Sequence, residues 1–138
     1  MAAVPGITGV ERLGGLPFLL RLPVPLAVMA GIWTASSFSH VEMPFEFSFQ
    51  DKVLHFLAYL GLSAAWWFAL ANRIPKLKLY RCIVISALFA SAYGASDEIH
   101  QYFVPGRFCT WGDFLADSMG AFFVAGLAPV VRRLRKNG

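Results

Sequence analysis

Apolar residues gather into four long segments that short polar connections separate. The segments cover about residues 16–38, 53–71, 82–99 and 114–131. A helix that crosses a bilayer needs about 20 mostly apolar residues, and each segment lies within the tolerated range. In the first segment Pro23 and Pro25 suit only a first helical turn, so the regular helix is predicted to begin near one of them. The pattern therefore predicts four membrane-spanning helices.

The composition agrees with this pattern. Of the 138 residues, 57% are hydrophobic and 14% are charged. A soluble domain of this length would be nearer a quarter charged, so the surplus apolar residues have no place on a water-facing surface. The sequence predicts an all-α, polytopic membrane protein in which residues 1–138 form a single four-helix domain.

Lysine and arginine are concentrated in the connection at residues 72–81 and in the C-terminal tail. The connection at residues 39–51 holds three acids and neither Lys nor Arg. Because cytoplasmic connections are rich in Lys and Arg, both termini are predicted to be cytoplasmic, an N-in, C-in bundle. Cys82 and Cys109 then lie near opposite faces, too far apart for a disulfide. Both basic clusters directly flank apolar segments, so they indicate orientation and not nucleic-acid binding.

Three polar clusters interrupt the apolar chain near the predicted extracytoplasmic ends of the helices. Charged groups beside lipid are costly, so they need partners or a function. In the third segment Ser86, Ala90 and Gly94 are spaced four apart, which lets helices approach closely and would bring the clusters together. The clusters are Asp51-Lys52-x-x-His55, Asp97-Glu98-x-x-Gln101, and Arg107 with Asp113 and Asp117.

The first cluster has helical spacing, because Asp51, His55 and Tyr59 are four residues apart and share one face. His55 lies about one turn inside the apolar segment, where an imidazole needs a hydrogen-bond partner. Lys52 points in another direction and is predicted to extend towards the lipid headgroups. This face is predicted to line a pocket.

The second cluster also shares a face, since Asp97 and Gln101 are four residues apart with Glu98 beside them. Arg107 is predicted to be the shared partner of these three groups, because its planar guanidinium binds two acceptors at once. The segment at residues 104–107 contains Pro and Gly at its centre and is predicted to be a tight turn that projects the arginine.

The third cluster continues into the fourth segment. Thr110 or Asp113 is predicted to cap that helix, and Asp117, one turn further in, is predicted to face the bundle interior. The predicted ligand-binding set is Asp51, Lys52, His55, Tyr59, Asp97, Glu98, Gln101, Arg107, Asp113 and Asp117.

Three chemistries fit these side chains: a divalent metal site, an Asp–His general base, and a polar pocket for a headgroup. The pairs Asp51/His55 and Asp113/Asp117 match no specific metal signature, so no metal and no cofactor are predicted. The catalytic candidates are His55, Asp51 and Glu98. Ser36 and Ser37 are nucleophile candidates only by their position.

These segments resemble the VanZ-like family of small bacterial membrane proteins. The resemblance covers about residues 31–126, with DKVLHFLAY at 51–59, DEIHQYFVPGR at 97–107, DFLADSMG at 113–120 and WTASS at 33–37. At Asp117 the family often has Asn. The resemblance implies a multi-pass protein of the bacterial cytoplasmic (inner) membrane, and the family's namesake is associated with resistance to the glycopeptide antibiotic teicoplanin.

Three functions remain open from the sequence. The first is an extracytoplasmic pocket that binds a lipid-linked or amphipathic molecule of the cell envelope, with membrane lipids as the surrounding partners. The second is an intramembrane enzyme that acts on such a molecule through His55 and a carboxylate. The third is a structural role, in which the polar clusters only fix helix packing.

Overall fold

The computed structural model describes residues 17–39, 49–71 and 79–137, with side chains described as far as residue 127. Over these residues the secondary structure is entirely helical, as predicted. The helices are α1 (Phe18–Arg21), α2 (Pro23–Ser36), α3 (Gln50–Leu70), α4 (Leu79–Tyr102) and α5 (Trp111–Asn137). Proline stands at the first position of α2, where its missing N–H costs no hydrogen bond, so the predicted start of this helix is confirmed.

Three of the four predicted spans are long and apolar enough to cross a membrane: Phe18–Ser36, Gln50–Leu70 and Tyr80–Tyr102. The membrane character of the chain is thereby confirmed. Helix α5 is 27 residues long, but the side chains of residues 128–137 lie outside the described ones. The same holds for most of the basic side chains on which the predicted orientation depends.

Helix α5 packs mainly against α3 and also contacts α4, while α2 lies against α3. The core where α3, α4 and α5 meet contains Tyr59, Leu62, Ala90 and Ala121. A Cβ added at Gly120 would lie 2.9 Å from the carbonyl carbon of Phe56, so the backbones of α3 and α5 touch here. The predicted small-residue face of α4 is likewise buried. Close packing thus brings the polar ends of three helices together.

The connection between α4 and α5 is the predicted tight turn. The N–H of Arg107 donates to the carbonyl of Val104 over 3.1 Å, and Gly106 has a φ of +81°, which favours glycine. Thr110 is the N-cap of α5, since its hydroxyl accepts the N–H of Asp113 over 3.1 Å. The cap was predicted to be Thr110 or Asp113, and in the structure it is Thr110.

At the other end of the bundle, Arg21 is buried although it interrupts an apolar segment. Its guanidinium donates to the carbonyl oxygens of Phe68 and Ala71 over 3.0 and 3.1 Å. These carbonyls belong to the last turn of α3, where the helix dipole favours a cation. Arg21 therefore ties the first span to the C-terminal end of α3.

Candidate functional site

The first three turns of α3 carry the predicted face of Asp51, His55 and Tyr59. The imidazole Nδ1 of His55 lies 2.8 Å from Oδ1 of Asp117, and its Nε2 lies 4.0 Å from Oδ1 of Asp51. Asp117 is fully buried, whereas the Asp51 carboxylate is 59% exposed. The histidine therefore joins a buried acid of α5 to an exposed acid of its own helix.

The prediction that Lys52 extends towards the lipid headgroups is wrong. Its Nζ lies 2.8 Å from Oδ1 of Asp113, and its side chain passes over Gly112, where a Cβ would come within 3.0 Å of Cε. The other oxygen of Asp113 accepts the Thr110 hydroxyl. The Asp113 carboxylate is within reach of the Lys52 ammonium. A charge-assisted hydrogen bond to it stabilises the ammonium more than a position among the headgroups would.

In the second cluster, Asp97 is held by neutral donors. Its Oδ1 accepts the Ser36 hydroxyl over 2.6 Å, and its Oδ2 accepts the Gln101 amide over 3.0 Å. Glu98 accepts the backbone N–H of Thr110 over 3.0 Å. The cluster thereby links α2, α4 and the start of α5.

The prediction that Arg107 is the shared partner of Asp97, Glu98 and Gln101 is wrong. Its Nε and Nη2 donate instead to the carbonyls of Phe38 and Ala35, over 2.9 and 3.2 Å. Ala35 lies in the last turn of α2 and Phe38 just beyond its end, where the helix dipole attracts a cation.

Arg107 still belongs to the site. Its Nη1 lies 3.9 Å from Oδ1 of Asp51, and only 20% of its side chain is exposed. The turn at residues 104–107 thus places the guanidinium beside the exposed acid of α3.

A cavity of about 870 Å³ opens between α2, α3 and α4. Seven residues of the predicted set line it, namely Asp51, Lys52, His55, Tyr59, Asp97, Gln101 and Arg107. Its apolar wall comes from Gly31, Ile32, Ala35, Phe49, Leu54 and Ala58. A cavity that is charged on one part and apolar on another suits an amphipathic molecule.

Glu98, Asp113 and Asp117 are not among the residues that line this cavity. They are 4%, 3% and 0% exposed and lie behind it. Asp113 and Asp117 contact the cavity-lining Lys52 and His55 directly. The predicted set therefore divides into a lining layer and a supporting layer.

Buried polar atoms remain without a hydrogen-bond partner among the described residues. They include Oε1 of Glu98, Oδ2 of Asp117 and the hydroxyl of Tyr59. Such atoms usually find a partner, since leaving one unpaired costs about 1–3 kcal/mol. The three predicted clusters together hold five carboxylates against Lys52, Arg107 and His55. The interior is thus rich in acceptors and poor in positive charge.

Among the residues that the structure describes, two sets of side chains could hold a cation, and both use His55. One is Asp51, His55 and Asp113, and the other is His55, Glu98 and Asp117. In each set one ligand atom per residue lies within 4.8 Å of the others.

Two contacts beside the site involve residues that the sequence pattern indicated only weakly, Ser36 and His100. Ser36 was a candidate only by position, yet it binds Asp97. The His100 ring stacks on Trp33 with centroids 3.8 Å apart, and its Nε2 lies 3.0 Å from the Ser37 hydroxyl. The sequence feature that could have indicated these contacts is the pair of serines, Ser36 and Ser37, at the end of the first apolar segment.

Cys109 lies exposed in the connection before α5. Partial loss of hydration, together with the nearby Glu98 carboxylate, raises the pKa of its thiol. Its reactivity therefore reports on the charge of a buried acid.

Comparison with known proteins gives one match. The family model described as VanZ/LLP1 matches residues 8–132, which is most of the chain. No curated protein and no solved structure matches the chain.

Proposed function

Because the chain belongs to the VanZ/LLP1 family, we propose that it is a bacterial inner-membrane protein whose cavity binds a lipid-linked or amphipathic molecule of the cell envelope. The observation that carries this proposal is the cavity itself. Charged groups of α3 and Arg107 lie on one part of its wall, and Ile32, Leu54 and Ala58 form an apolar part. The charged part of the wall suits a headgroup, and the apolar part suits a hydrocarbon chain.

The two cations are suited to a phosphate. Lys52 donates one of its three N–H groups to Asp113, and its side chain remains 41% exposed. Arg107 lines the cavity, and its Nη1 lies 3.9 Å from the Asp51 carboxylate, beyond direct hydrogen-bond distance. Gln101 and the exposed Asp51 offer partners for hydroxyl or amine groups. The polar part of the cavity therefore matches a phosphorylated headgroup.

The proposed topology places this cavity on the extracytoplasmic side. In it α5 is the fourth span, and the basic connection and both termini are cytoplasmic. A cavity near the outer leaflet would meet envelope precursors after they cross the membrane. The association of the family's namesake with teicoplanin makes susceptibility to that antibiotic a cellular readout of this proposal.

An intramembrane enzyme is the second candidate, and the His55–Asp117 pair favours it. A buried carboxylate that accepts the Nδ1 proton of an imidazole fixes its tautomer and leaves Nε2 as a base. His55 lines the cavity, so a bound molecule would meet that nitrogen. Product formation from envelope lipids by the purified protein would separate this function from binding alone.

Native mass spectrometry of the detergent-purified protein tests the binding proposal. The wild type should retain an amphiphile, and Arg107→Ala should weaken its binding about 10–100-fold, because a charge-assisted hydrogen bond contributes about 1.5–3 kcal/mol. Arg81→Ala is the matched control, since Arg81 is exposed at the opposite end of α4. Equal retention by wild type and Arg107→Ala, with a lower melting temperature as the only effect, would favour the structural role.

A further inference from the structure

The charges behind the cavity wall do not balance. Lys52 neutralises Asp113, and Arg107 faces Asp51. Asp97, Glu98 and Asp117 remain, all at least nine-tenths buried. Asp97 accepts a hydrogen bond at each oxygen, from Ser36 and Gln101. Among the described residues, His55 is the basic group that contacts either of the other two acids, through Asp117. Buried carboxylates are stable only when they are paired, protonated or bound to a metal.

Each of these two acids also has one oxygen that no described residue pairs. Oε1 of Glu98 and Oδ2 of Asp117 are buried and have no hydrogen-bond partner among the described residues. One ligand atom from each acid and one from His55 lie within 4.8 Å of one another. The three residues come from α3, α4 and α5, so the packing of the bundle creates the cluster.

We propose that His55, Glu98 and Asp117 bind a divalent metal ion of the zinc class. One imidazole nitrogen and two carboxylate oxygens suit Zn²⁺, whereas Mg²⁺ and Ca²⁺ take oxygen ligands. Ligands at about 2.0–2.2 Å from zinc lie about 3.4 Å apart, so the three side chains need to close by about 1 Å. Binding requires a neutral imidazole and ionised carboxylates, so protons held by the cluster are released to solvent.

The competing set of Asp51, His55 and Asp113 is a poorer site. Both oxygens of Asp113 already accept hydrogen bonds, from Lys52 and Thr110. The Lys52 ammonium, 2.8 Å from that carboxylate, would repel a cation. Asp51 is largely exposed and therefore keeps its hydration without a metal.

The metal site does not depend on the proposed ligand of the cavity. Glu98 and Asp117 lie behind the wall, and His55 is the residue that the cluster and the lining have in common. Binding of zinc and binding of an amphiphile can therefore be measured, and can fail, separately.

The test uses full-length protein purified in detergent with an affinity tag that contains no histidine. After EDTA treatment, Zn²⁺ is titrated by calorimetry, and bound zinc is measured by mass spectrometry after gel filtration. We expect one zinc per chain, and a loss of affinity of more than about 100-fold in His55→Ala, Glu98→Gln and Asp117→Asn. His100→Ala is the matched histidine control and should bind zinc within about twofold of wild type.

Two further measurements keep the proposal falsifiable if a ligand variant does not fold. X-ray absorption of zinc-loaded wild type should show nitrogen and oxygen neighbours, and Cys109→Ser should retain the zinc. A sulfur neighbour, or a wild type that binds no zinc, would overturn the proposal. So would a loss in Asp51→Asn as large as that in a folded Glu98→Gln, because it would assign the metal to the competing set.

Discussion

Substitution of Gly120 by alanine tests the contact that holds the site together. A Cβ at this position would lie 2.9 and 3.0 Å from the carbonyl carbon and Cα of Phe56, whereas unstrained carbon contacts lie at about 3.5–4.0 Å. The carbonyl oxygen of Phe56 would lie closer still. None of these atoms belongs to a flexible side chain, so α3 and α5 must separate by at least about 1 Å. Overpacking of this kind costs about 1–3 kcal/mol, and the higher helix propensity of alanine returns at most about 1 kcal/mol.

The separation would also reach the site. Phe56 is next to His55, and Gly120 follows Asp117 by less than one turn. An increase of about 1 Å would lengthen the 2.8 Å contact between His55 and Asp117 beyond the usual hydrogen-bond range. Both packing and the buried polar pair would weaken together.

Melting of the detergent-purified protein, followed by size-exclusion fluorescence, measures the effect. We expect Gly120→Ala to melt about 5 °C below wild type. The matched control is Gly126→Ala on the same helix, where nothing lies within 4 Å of an added Cβ, and it should melt at or slightly above the wild-type temperature. If both variants melt within about 1 °C of each other, the close contact between α3 and α5 does not exist.

Three more outcomes follow from particular contacts. Thr110→Ala should lower stability by about 0.5–2 kcal/mol in thermal melts, because it removes the cap of α5, and Thr110→Ser should restore it. An impermeant maleimide added to intact cells should label Cys109, whereas Tyr80→Cys in a Cys109→Ser background should need a permeant reagent; the reverse would place the cavity on the cytoplasmic side. Glu98→Gln should speed alkylation of Cys109 at pH 7, since the Glu98 carboxylate raises the pKa of that thiol; an unchanged rate would mean that Glu98 carries no charge.

Much of the fold could be predicted from the sequence, because lipid leaves few options. Apolar length specifies the helices, and proline and threonine mark where α2 and α5 begin. Helical spacing also placed Asp51, His55 and Tyr59 on one face, and Asp97 beside Gln101, because these relations lie within a single helix.

Pairing between helices could not be predicted in the same way. Arg107 was expected to bind the acids of α4, which are near in sequence, but it binds the carbonyls of Ala35 and Phe38 at the end of α2. Lys52 binds Asp113 and His55 binds Asp117, each across about 60 residues. Those partners depend on how the helices pack against one another, which the spacing within one helix does not specify.

The central claim is that the cavity holds an amphipathic envelope molecule, and photo-crosslinking in cells tests it most directly. Benzoylphenylalanine replaces Leu54, which lines the cavity, or Leu57, which is 54% exposed and not part of the lining. We predict that one lipid-linked species crosslinks from position 54, is absent from position 57, and disappears with Arg107→Ala. Capture of the same bulk phospholipids from both positions, unchanged by Arg107→Ala, would contradict the account.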